Sequence, residues 1–216
     1  MMRITPVVKN LIIINVLIWA SINLMDAKMA QKILAAYYPA SPLFYPWQII
    51  THMFMHQWGD FSHVLFNMFG VYIFGSYLER FWGGKRFLIF YMLCGLGAFF
   101  LHELVNGIQI YMACGTFWPE QNLFQSLDMG LRRGVVGASG ALFGLILGFA
   151  VLFPHVRLQL IFPPIPIKAR TLAIFYGGFE ILQIVGHAQD NVAHFAHLGG
   201  MLFGWLIIRH WQKKGT

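Results

Sequence analysis

Four polar side chains with the chemistry of acyl transfer lie inside long apolar stretches of the sequence, namely His63, Asn67, Ser139 and His197. A serine hydroxyl is a weak nucleophile until a neighbouring base takes its proton, and an imidazole can be that base. The Asn67 amide, the His63 imidazole and the Ser139 backbone N–H are donors of the kind that stabilise a tetrahedral oxyanion. Because the nearby acid Asp190 is expected in a loop, we predict a Ser139–His197 dyad with these three oxyanion donors.

Such side chains need rigid elements to hold them together, and the sequence supplies six apolar blocks. Hydrophobic residues make up 58% of the chain and charged residues 11%, whereas a soluble domain carries about 25% charged residues. Blocks near the length of a bilayer crossing, about 20 residues, must be helices because lipid offers no hydrogen-bond partner to an open strand. We therefore predict an all-α membrane protein, a six-helix bundle with one domain over residues 1–216 and spans at approximately 7–25, 61–78, 87–106, 135–153, 171–186 and 192–208.

Lysine and arginine residues set the expected orientation of this bundle. With the N-terminus inside, eleven of them fall on the cytoplasmic side and four, Lys28, Lys32, Arg132 and Arg133, on the outer side. Basic residues accumulate in cytoplasmic loops, so both termini are predicted to be cytoplasmic. Spans two, four and six then run from outside to inside, which puts the candidate site residues within about 10 Å of the outer boundary.

Two outer loops are long. Residues 26–60 carry apolar side chains at helical spacing, which predicts a short interfacial helix there. No role is assigned to the mixed, polar residues 107–133.

Glycines at four-residue spacing predict a close approach between two of the helices. They are Gly140, Gly144 and Gly148 in span four and Gly200 and Gly204 in span six. Ridges of small residues let helix backbones approach in membranes. A serine on one helix needs that closeness to reach a histidine on another, at about 2.6–3.2 Å. Helix packing alone is the alternative explanation for these glycines.

The chain resembles the rhomboid intramembrane proteases in three motifs that occur in order on the expected spans. Span two carries His63-x-x-x-Asn67, span four opens with Gly137-x-Ser139-Gly140, and span six carries Ala196-His197-x-x-Gly200-x-x-x-Gly204. With the six-span layout, the resemblance covers nearly the whole chain. The glycine spacing selects His197 rather than His194. One departure is Trp47-Gln48, because the family often has Trp-Arg in the first outer loop.

The resemblance implies a serine protease that cuts transmembrane segments of other proteins within the lipid bilayer, with no metal and no cofactor. Ser139 is then the nucleophile, His197 the base, and His63 and Asn67 serve the oxyanion. The resemblance also implies supporting positions at Gly137, Gly140, Phe143, Gly200 and Gly204. Phe143 matches a position whose ring packs against the catalytic histidine, with a lipid-facing or core phenylalanine as the alternative. The absence of large appended domains predicts a bacterial inner-membrane protein.

A metalloprotease is an alternative protease class, because histidines are common metal ligands. His102-Glu103 begins the pattern H-E-x-x-H, but Asn106 stands where the second histidine would be. His194 and His197 could share a metal with His63, yet no carboxylate clearly completes that site. We therefore predict no metal.

Functions other than proteolysis stay open at this point. A rhomboid-like pseudoprotease would bind transmembrane helices without cutting them. Such a protein would be expected to lack the serine or the histidine, and both are present in this sequence. A transporter would need a polar path through both leaflets, and the polar cluster lies in the outer half. No basic face with interleaved aromatics is visible, so we expect no nucleic-acid partner.

Several polar residues outside the motifs have expected roles of their own. Glu180 in span five is predicted to make an interhelical hydrogen bond, with the orientation of a histidine as the alternative. His52 is predicted to anchor the outer loop, and His56 to be an ordinary interfacial histidine. Cys94 and Cys114 are expected to be unpaired thiols.

Overall fold

The computed structural model describes residues 3–127, 134–159, 164–186 and 192–214. Arg132, Arg133 and Asp190, which enter the sequence arguments, lie outside these residues. The described residues form ten α-helices, one π-helical turn and a two-stranded hairpin. In chain order they are α1 (Pro6–Ile22), α2 (Ala27–Leu34), α3 (Gln48–Thr51), α4 (Phe61–Gly70), the π turn (Val71–Gly75), α5 (Ser76–Trp82), α6 (Gly84–Cys114), α7 (Gln121–Ser126), α8 (Ser139–Leu152), β1 (Arg157–Gln159), β2 (Pro166–Lys168), α9 (Ala169–Gly186) and α10 (Val192–Lys213).

Each of the six predicted apolar blocks contains a helix. Two continuous helical stretches, Phe61–Trp82 and Gly84–Cys114, are long and apolar enough to cross a membrane, and the shorter helices Pro6–Ile22 and Ser139–Leu152 are also apolar. These assignments rest on length and composition within the described residues. The number of spans and the side of each terminus stay predictions.

A buried carboxylate fastens the N-terminus of α1 to α5. Glu79 is 5% exposed and accepts hydrogen bonds from the Thr5 hydroxyl at 2.5 Å and from the backbone N–H groups of Val7 and Val8 at 3.0 and 2.9 Å. The first N–H groups of a helix have no partner within it, and this end of a helix attracts negative charge. Glu79 therefore supplies both the acceptors and the charge that the start of α1 needs.

The helix that fills the second apolar block is continuous from α4 to α5 but contains the π turn Val71–Gly75. Gly70, just before the turn, packs against α8, where a Cβ would stand 2.7 Å from the Leu142 side chain. Gly75, the last residue of the turn, packs against α1, where a Cβ would stand 2.9 Å from the Val8 side chain. The two ends of the turn thus face different neighbours.

Helix α6 is the longest element, with 31 residues. Phe87, Phe90, Tyr91 and Cys94 are fully buried along it and form much of the core. The helix extends past both ends of the predicted block 87–106, which was too short. It ends where Gly115 takes a left-handed φ of 72° and its N–H bonds back to the helix, a common glycine stop.

Residues 134–138 are not part of a helix, which corrects the predicted start of span four at residue 135. The N–H of Ala36 donates to the carbonyl of Val135 at 3.0 Å, and the N–H of Val135 donates back at 2.8 Å. The N–H of Gly137 donates to the carbonyl of His52 at 2.9 Å. Because these groups bond to the first outer loop, the helix begins only at Ser139.

The connecting segments contain short elements, one of which was predicted. Helix α2 lies in residues 26–60, where a short helix was expected, and Asp26 caps it by accepting from the Met29 N–H at 3.0 Å. The hairpin of β1 and β2, in which Arg157 lies opposite Lys168, was not predicted, because three-residue strands carry almost no periodicity. The described part of residues 107–133 holds the end of α6 and the short helix α7.

Candidate active site

Ser139 and His197 contact each other across two helices. Ser139 is the first residue of α8, and His197 lies in the second turn of α10. His197 Nε2 is 2.9 Å from Ser139 Oγ, which is within the distance a base needs to take the hydroxyl proton. Both side chains are partly exposed, so the contact lies open to the surface of the protein.

Glycines allow the backbones of α8 and α10 to touch beside this pair. A Cβ on Gly200 would overlap the carbonyl oxygen of Gly140, and a Cβ on Gly144 would stand 3.0 Å from the carbonyl oxygen of Gly200. One turn further, a Cβ on Gly204 would stand 3.2 Å from the Gly144 carbonyl oxygen. The short distance between the helices therefore depends on glycine, which has no side chain, at these positions.

Phe143 packs flat against the candidate base. Its ring is stacked on that of His197, with centroids 4.1 Å apart and an interplanar angle of 4°. Tyr176 of α9 meets the Phe143 ring edge-on at 5.9 Å. Phe143 is buried and so limits the positions that the imidazole can take. Its effect on catalysis stays a prediction.

His63 faces Ser139 from α4. A Cβ built on Gly137 would stand 3.2 Å from His63 Nε2 and 3.5 Å from Ser139 Oγ, so these two atoms flank Gly137. The backbone N–H of Gln57 donates to His63 Nδ1 at 3.2 Å. An imidazole that accepts at Nδ1 while neutral carries its hydrogen on Nε2. In the neutral ring, Nε2, which lies beside Gly137, is therefore the donor.

Asn67 shares the helix face of His63, one turn on. Its amide Nδ2 donates to the His63 carbonyl at 2.8 Å, and its Oδ1 is buried without a hydrogen-bond partner. The hydrogen bond shown by the structure thus runs along Asn67's own helix and not to Ser139. One amide hydrogen remains for another acceptor, and the predicted contribution to an oxyanion hole stays a prediction.

The start of α8 supplies backbone donors at the same place. The N–H of Leu142 donates to the carbonyl of Ala138 at 2.9 Å. The N–H groups of Ser139, Gly140 and Ala141 come before this first bond and have no acceptor within the helix. Free N–H groups and the positive end of the helix dipole favour a negative ligand. This end of α8 can therefore stabilise negative charge beside Ser139.

A carboxylate from α9 contacts two histidines of α10. Glu180 Oε2 is 2.5 Å from His194 Nδ1, and Glu180 Oε1 is 3.0 Å from His197 Nδ1. The first contact is a hydrogen bond. The second pair of atoms lies within ion-pair distance, but His197 Nδ1 makes no hydrogen bond in this conformation. Glu180 thus links the two helices and also contacts the candidate base.

The same three residues are of types that bind metal ions, and their ligand atoms lie within 4.8 Å of one another. Two ligands at about 2.0–2.1 Å from a tetrahedral zinc ion are separated by about 3.3 Å. The 2.5 Å between Glu180 Oε2 and His194 Nδ1 is shorter and fits a charge-assisted hydrogen bond. This arrangement therefore fits a shared proton better than a shared metal. His63, which was considered as a third ligand, faces Ser139 instead.

Two histidines of the first outer loop lie behind the site. Burial lowers the pKa of His52 to about 4, and its carbonyl accepts from Gly137. Burial and the neighbouring His63 lower the pKa of His56 to about 4. His56 was predicted to be interfacial, but it is fully buried, with its ring centroid 5.2 Å from that of His63. Both imidazoles are neutral at pH 7, so they add no charge to the site.

Sequence reasoning left His194 without a role and placed Glu180 outside the dyad. Two signals were available: a carboxylate in an apolar block is costly unless it is paired, and His194 lies one turn before His197. Which side chains pair depends on how α9 and α10 are rotated about their axes, and apolar periodicity does not give that rotation for short helices.

Known proteins with similar sequences share one family. The chain matches the family model described as Rhomboid domain over residues 44–211. It is 32% identical over 167 residues to RHOMBOID-like protein 12, mitochondrial, of Arabidopsis thaliana, with 74% of this chain and 46% of that protein covered. It is 31% identical over 163 residues to the Putative rhomboid protease YdcA of Bacillus subtilis, with 74% and 65% covered. It is 24% identical over 163 residues to the Rhomboid protease AarA of Providencia stuartii, with 74% and 54% covered.

The chain spans about half the length of the curated relatives it matches. These relatives include proteins named as mitochondrial, from Arabidopsis and yeast, beside bacterial proteins. They therefore do not support the predicted bacterial inner membrane over another membrane.

Proposed function

The chain belongs to the rhomboid family of integral membrane proteins, and we propose from that premise that it is an intramembrane serine endopeptidase acting through Ser139 and His197. The observation that carries the proposal is the 2.9 Å contact between Ser139 Oγ and His197 Nε2. Relatives named as rhomboid proteases support the same reaction class.

The reaction begins when His197 Nε2 takes the Ser139 hydroxyl proton as the oxygen attacks a peptide carbonyl. The C–N bond of the tetrahedral intermediate then breaks, and the imidazolium returns the proton to the leaving amine. Water, deprotonated by the same imidazole, hydrolyses the acyl-enzyme and regenerates the serine. His197 alternates between base and acid, as the 2.9 Å contact permits.

The oxyanion of the intermediate forms beside Ser139, where donors from two helices are available. The proposed donors are the His63 Nε2–H, the backbone N–H of Ser139 and the remaining amide hydrogen of Asn67. The position of His63 Nε2 and Ser139 Oγ on either side of Gly137 supports the first of these. Preorganised donors stabilise charge that develops only in the transition state. The mechanism uses no metal and no organic cofactor.

We propose that six helices cross the membrane, with both termini cytoplasmic and residues 1–216 forming one domain. Eleven of the fifteen basic residues lie on the side that this orientation makes cytoplasmic, which supports it. Single cysteines introduced at exposed Lys28 and at exposed Lys85, in a variant with Cys94 and Cys114 replaced, test the orientation by labelling with a membrane-impermeant maleimide. Labelling at residue 28 but not at residue 85 from outside the cell is expected, and the reverse would overturn it.

The substrates are transmembrane segments of other proteins, and a helix must unwind locally to present a peptide bond to Ser139. A fluorophosphonate probe tests the enzyme without knowledge of the substrate, because it reacts with an activated serine. Purified protein in detergent or liposomes is compared with Ser139→Ala and His197→Ala, and His210→Ala, at an exposed position further along α10, is the matched control.

We expect labelling of the wild type and of His210→Ala, and no labelling of the two site variants. An unlabelled wild type with a cooperative unfolding transition would overturn the protease proposal. It would point to a pseudoprotease that binds transmembrane helices without cutting them.

A further inference from the structure

We propose that Glu180 is a positioning residue that extends the Ser139–His197 pair into a serine–histidine–glutamate triad, with His194 holding the carboxylate in place. The inference rests on the proposed function and deepens it. Glu180 touches neither Ser139 nor a substrate, so its effect is exerted through His197.

The geometry forms a chain of three groups on three helices. Ser139 Oγ on α8 is 2.9 Å from His197 Nε2 on α10, and His197 Nδ1 is 3.0 Å from Glu180 Oε1 on α9. The two ring nitrogens of His197 therefore face a hydroxyl on one side and a carboxylate on the other. This is the order of roles in a serine–histidine–acid triad, where the acid orients the imidazole and stabilises the imidazolium.

The required tautomer explains why the carboxylate matters. His197 Nε2 accepts the Ser139 proton only if its own hydrogen is on Nδ1. A hydrogen on Nδ1 needs an acceptor, and Glu180 Oε1 is at 3.0 Å. His197 Nδ1 makes no hydrogen bond in this conformation, and catalytic hydrogen bonds of unliganded enzymes commonly align only when substrate is bound. As an imidazolium forms during the attack, the nearby negative charge stabilises it.

His194 fixes the carboxylate that would otherwise rotate. Its Nδ1 is 2.5 Å from Glu180 Oε2, and Glu180 is 4% exposed. With one oxygen bound to His194, the other is held toward His197. Glu180 is thus oriented by one histidine of α10 and orients the other.

The groups that face His197 decide how a pH profile is interpreted. The described neighbours are Ser139 and Phe143 from α8, Glu180 from α9, His194 from α10 and His63 from α4. Glu180 is the acid among these groups. Removal of its charge therefore takes away the counter-charge of the His197 imidazolium.

The test measures the second-order rate constant of fluorophosphonate labelling against pH, in the whole 216-residue chain, for wild type, Glu180→Gln, Glu180→Asp and His194→Gln. Glu180→Gln should label about 100- to 1000-fold more slowly, since an acid that fixes the tautomer contributes up to about 10⁴-fold in a triad. The acid limb of its profile should move to lower pH, because the imidazolium has lost its counter-charge. Glu180→Asp retains the charge, so its acid limb should stay near that of the wild type even where the rate falls.

His194→Gln separates orientation from helix attachment. The Gln side chain can still donate to Glu180 through its amide, and the carboxylate stays beside His197. His194→Gln should therefore retain at least about one tenth of the wild-type rate, a smaller loss than that of Glu180→Gln. Thermal unfolding of each variant reports folding, and Glu180→Asp provides the comparison if Glu180→Gln unfolds. A chelator should leave every rate unchanged.

Three results would overturn the triad while the protease proposal stands. They are a folded Glu180→Gln protein with the wild-type rate and profile, a His194→Gln protein that loses as much as Glu180→Gln, and labelling that depends on a metal removed by the chelator. An unlabelled wild type would instead overturn the proposed function and the triad together.

Discussion

The carbonyl oxygen of Gly140 occupies the space that a Cβ on Gly200 would need. This contact lies one residue beyond Ser139 on α8 and three beyond His197 on α10, so it sets the distance between the serine and the histidine. The 2.9 Å contact between Ser139 Oγ and His197 Nε2 thus depends on two residues that have no side chain.

Gly200→Ala is expected to separate α8 from α10 and to slow fluorophosphonate labelling by at least about 100-fold, because a displacement of about 1 Å has this effect at a reacting pair. Gly178→Ala on α9 is the matched control, since its added methyl group meets nothing within 4 Å. Labelling rates are measured for both, with thermal unfolding as the check on folding. A Gly200→Ala protein that labels at the wild-type rate would show that the helix contact does not govern the pair.

Gly137→Ala is expected to impair labelling for two reasons. Gly137 has a φ of 123°, where a side chain costs about 1–3 kcal/mol, and a methyl group there would stand 3.2 Å from His63 Nε2 and 3.5 Å from Ser139 Oγ. We expect a rate about 10- to 100-fold lower, as from a small misplacement of a reacting group.

Gly59→Ala is the control for that backbone cost. Gly59 also has a positive φ, of 72°, but nothing lies within 4 Å of its added methyl group. Equal losses of rate in the two variants would assign the effect to stability and contradict the crowding of the site.

Phe143→Leu is expected to loosen His197 by removing the ring stacked on it at 4.1 Å. Aromatic pairs contribute about 0.5–1.5 kcal/mol beyond their buried area, which corresponds to about a 2- to 13-fold lower rate. Phe175→Leu, at an exposed position of α9, is the control. Labelling kinetics measure the effect, and identical rates for the two variants would assign Phe143 to packing alone.

Glu79→Gln is expected to lower stability without altering the chemistry. The carboxylate accepts three hydrogen bonds at the start of α1, and the loss of its charge should cost about 2 kcal/mol of unfolding free energy. Glu120→Gln, at an exposed site, should cost almost nothing. Unfolding in mixed micelles measures the difference, and a Glu79→Gln protein as stable as wild type would contradict the role of this anchor.

The protein is expected to lose stability in mild acid through His52 and His56. Both have a folded-state pKa of about 4, below the ordinary value of about 6.5. The unfolded chain therefore takes up protons between pH 6.5 and 4 while the folded chain does not, so the unfolding free energy falls across this window.

His56→Gln tests that pH dependence, because it removes one of the two titrating groups. The slope of unfolding free energy against pH should become shallower between pH 6.5 and 4, whereas His210→Gln at an exposed position should leave the slope unchanged. Parallel curves for wild type and His56→Gln would refute the assignment.

The candidate residues could be identified in the sequence because polar side chains are conspicuous in apolar blocks. Ser139 and His197 lie next to glycines at fixed spacing, and that local pattern survives without any knowledge of the fold. The lengths of the helices were less predictable, because α6 continues to Cys114 through Asn106-Gly107, a dipeptide that is typical of turns.

Contacts between distant segments account for what the sequence did not predict. The start of α8 is shifted to Ser139 by backbone pairing between Val135 and Ala36, which are separated by 99 positions. The approach of Glu180 to His197 depends in the same way on how α9 lies against α10. Neither contact can be predicted from the hydrophobic periodicity of a single segment.

The π turn at Val71–Gly75 divides one long helix into two segments. Because a π turn contains more residues than an α-helical turn, the side chains after it point in directions different from those of an uninterrupted α-helix. The segment before the turn can therefore aim His63 at α8 while the segment after it aims Glu79 at α1. A one-residue deletion within the turn would restore regular α-helical spacing. The helix could then keep only one of the two contacts, that of His63 with α8 or that of Glu79 with α1.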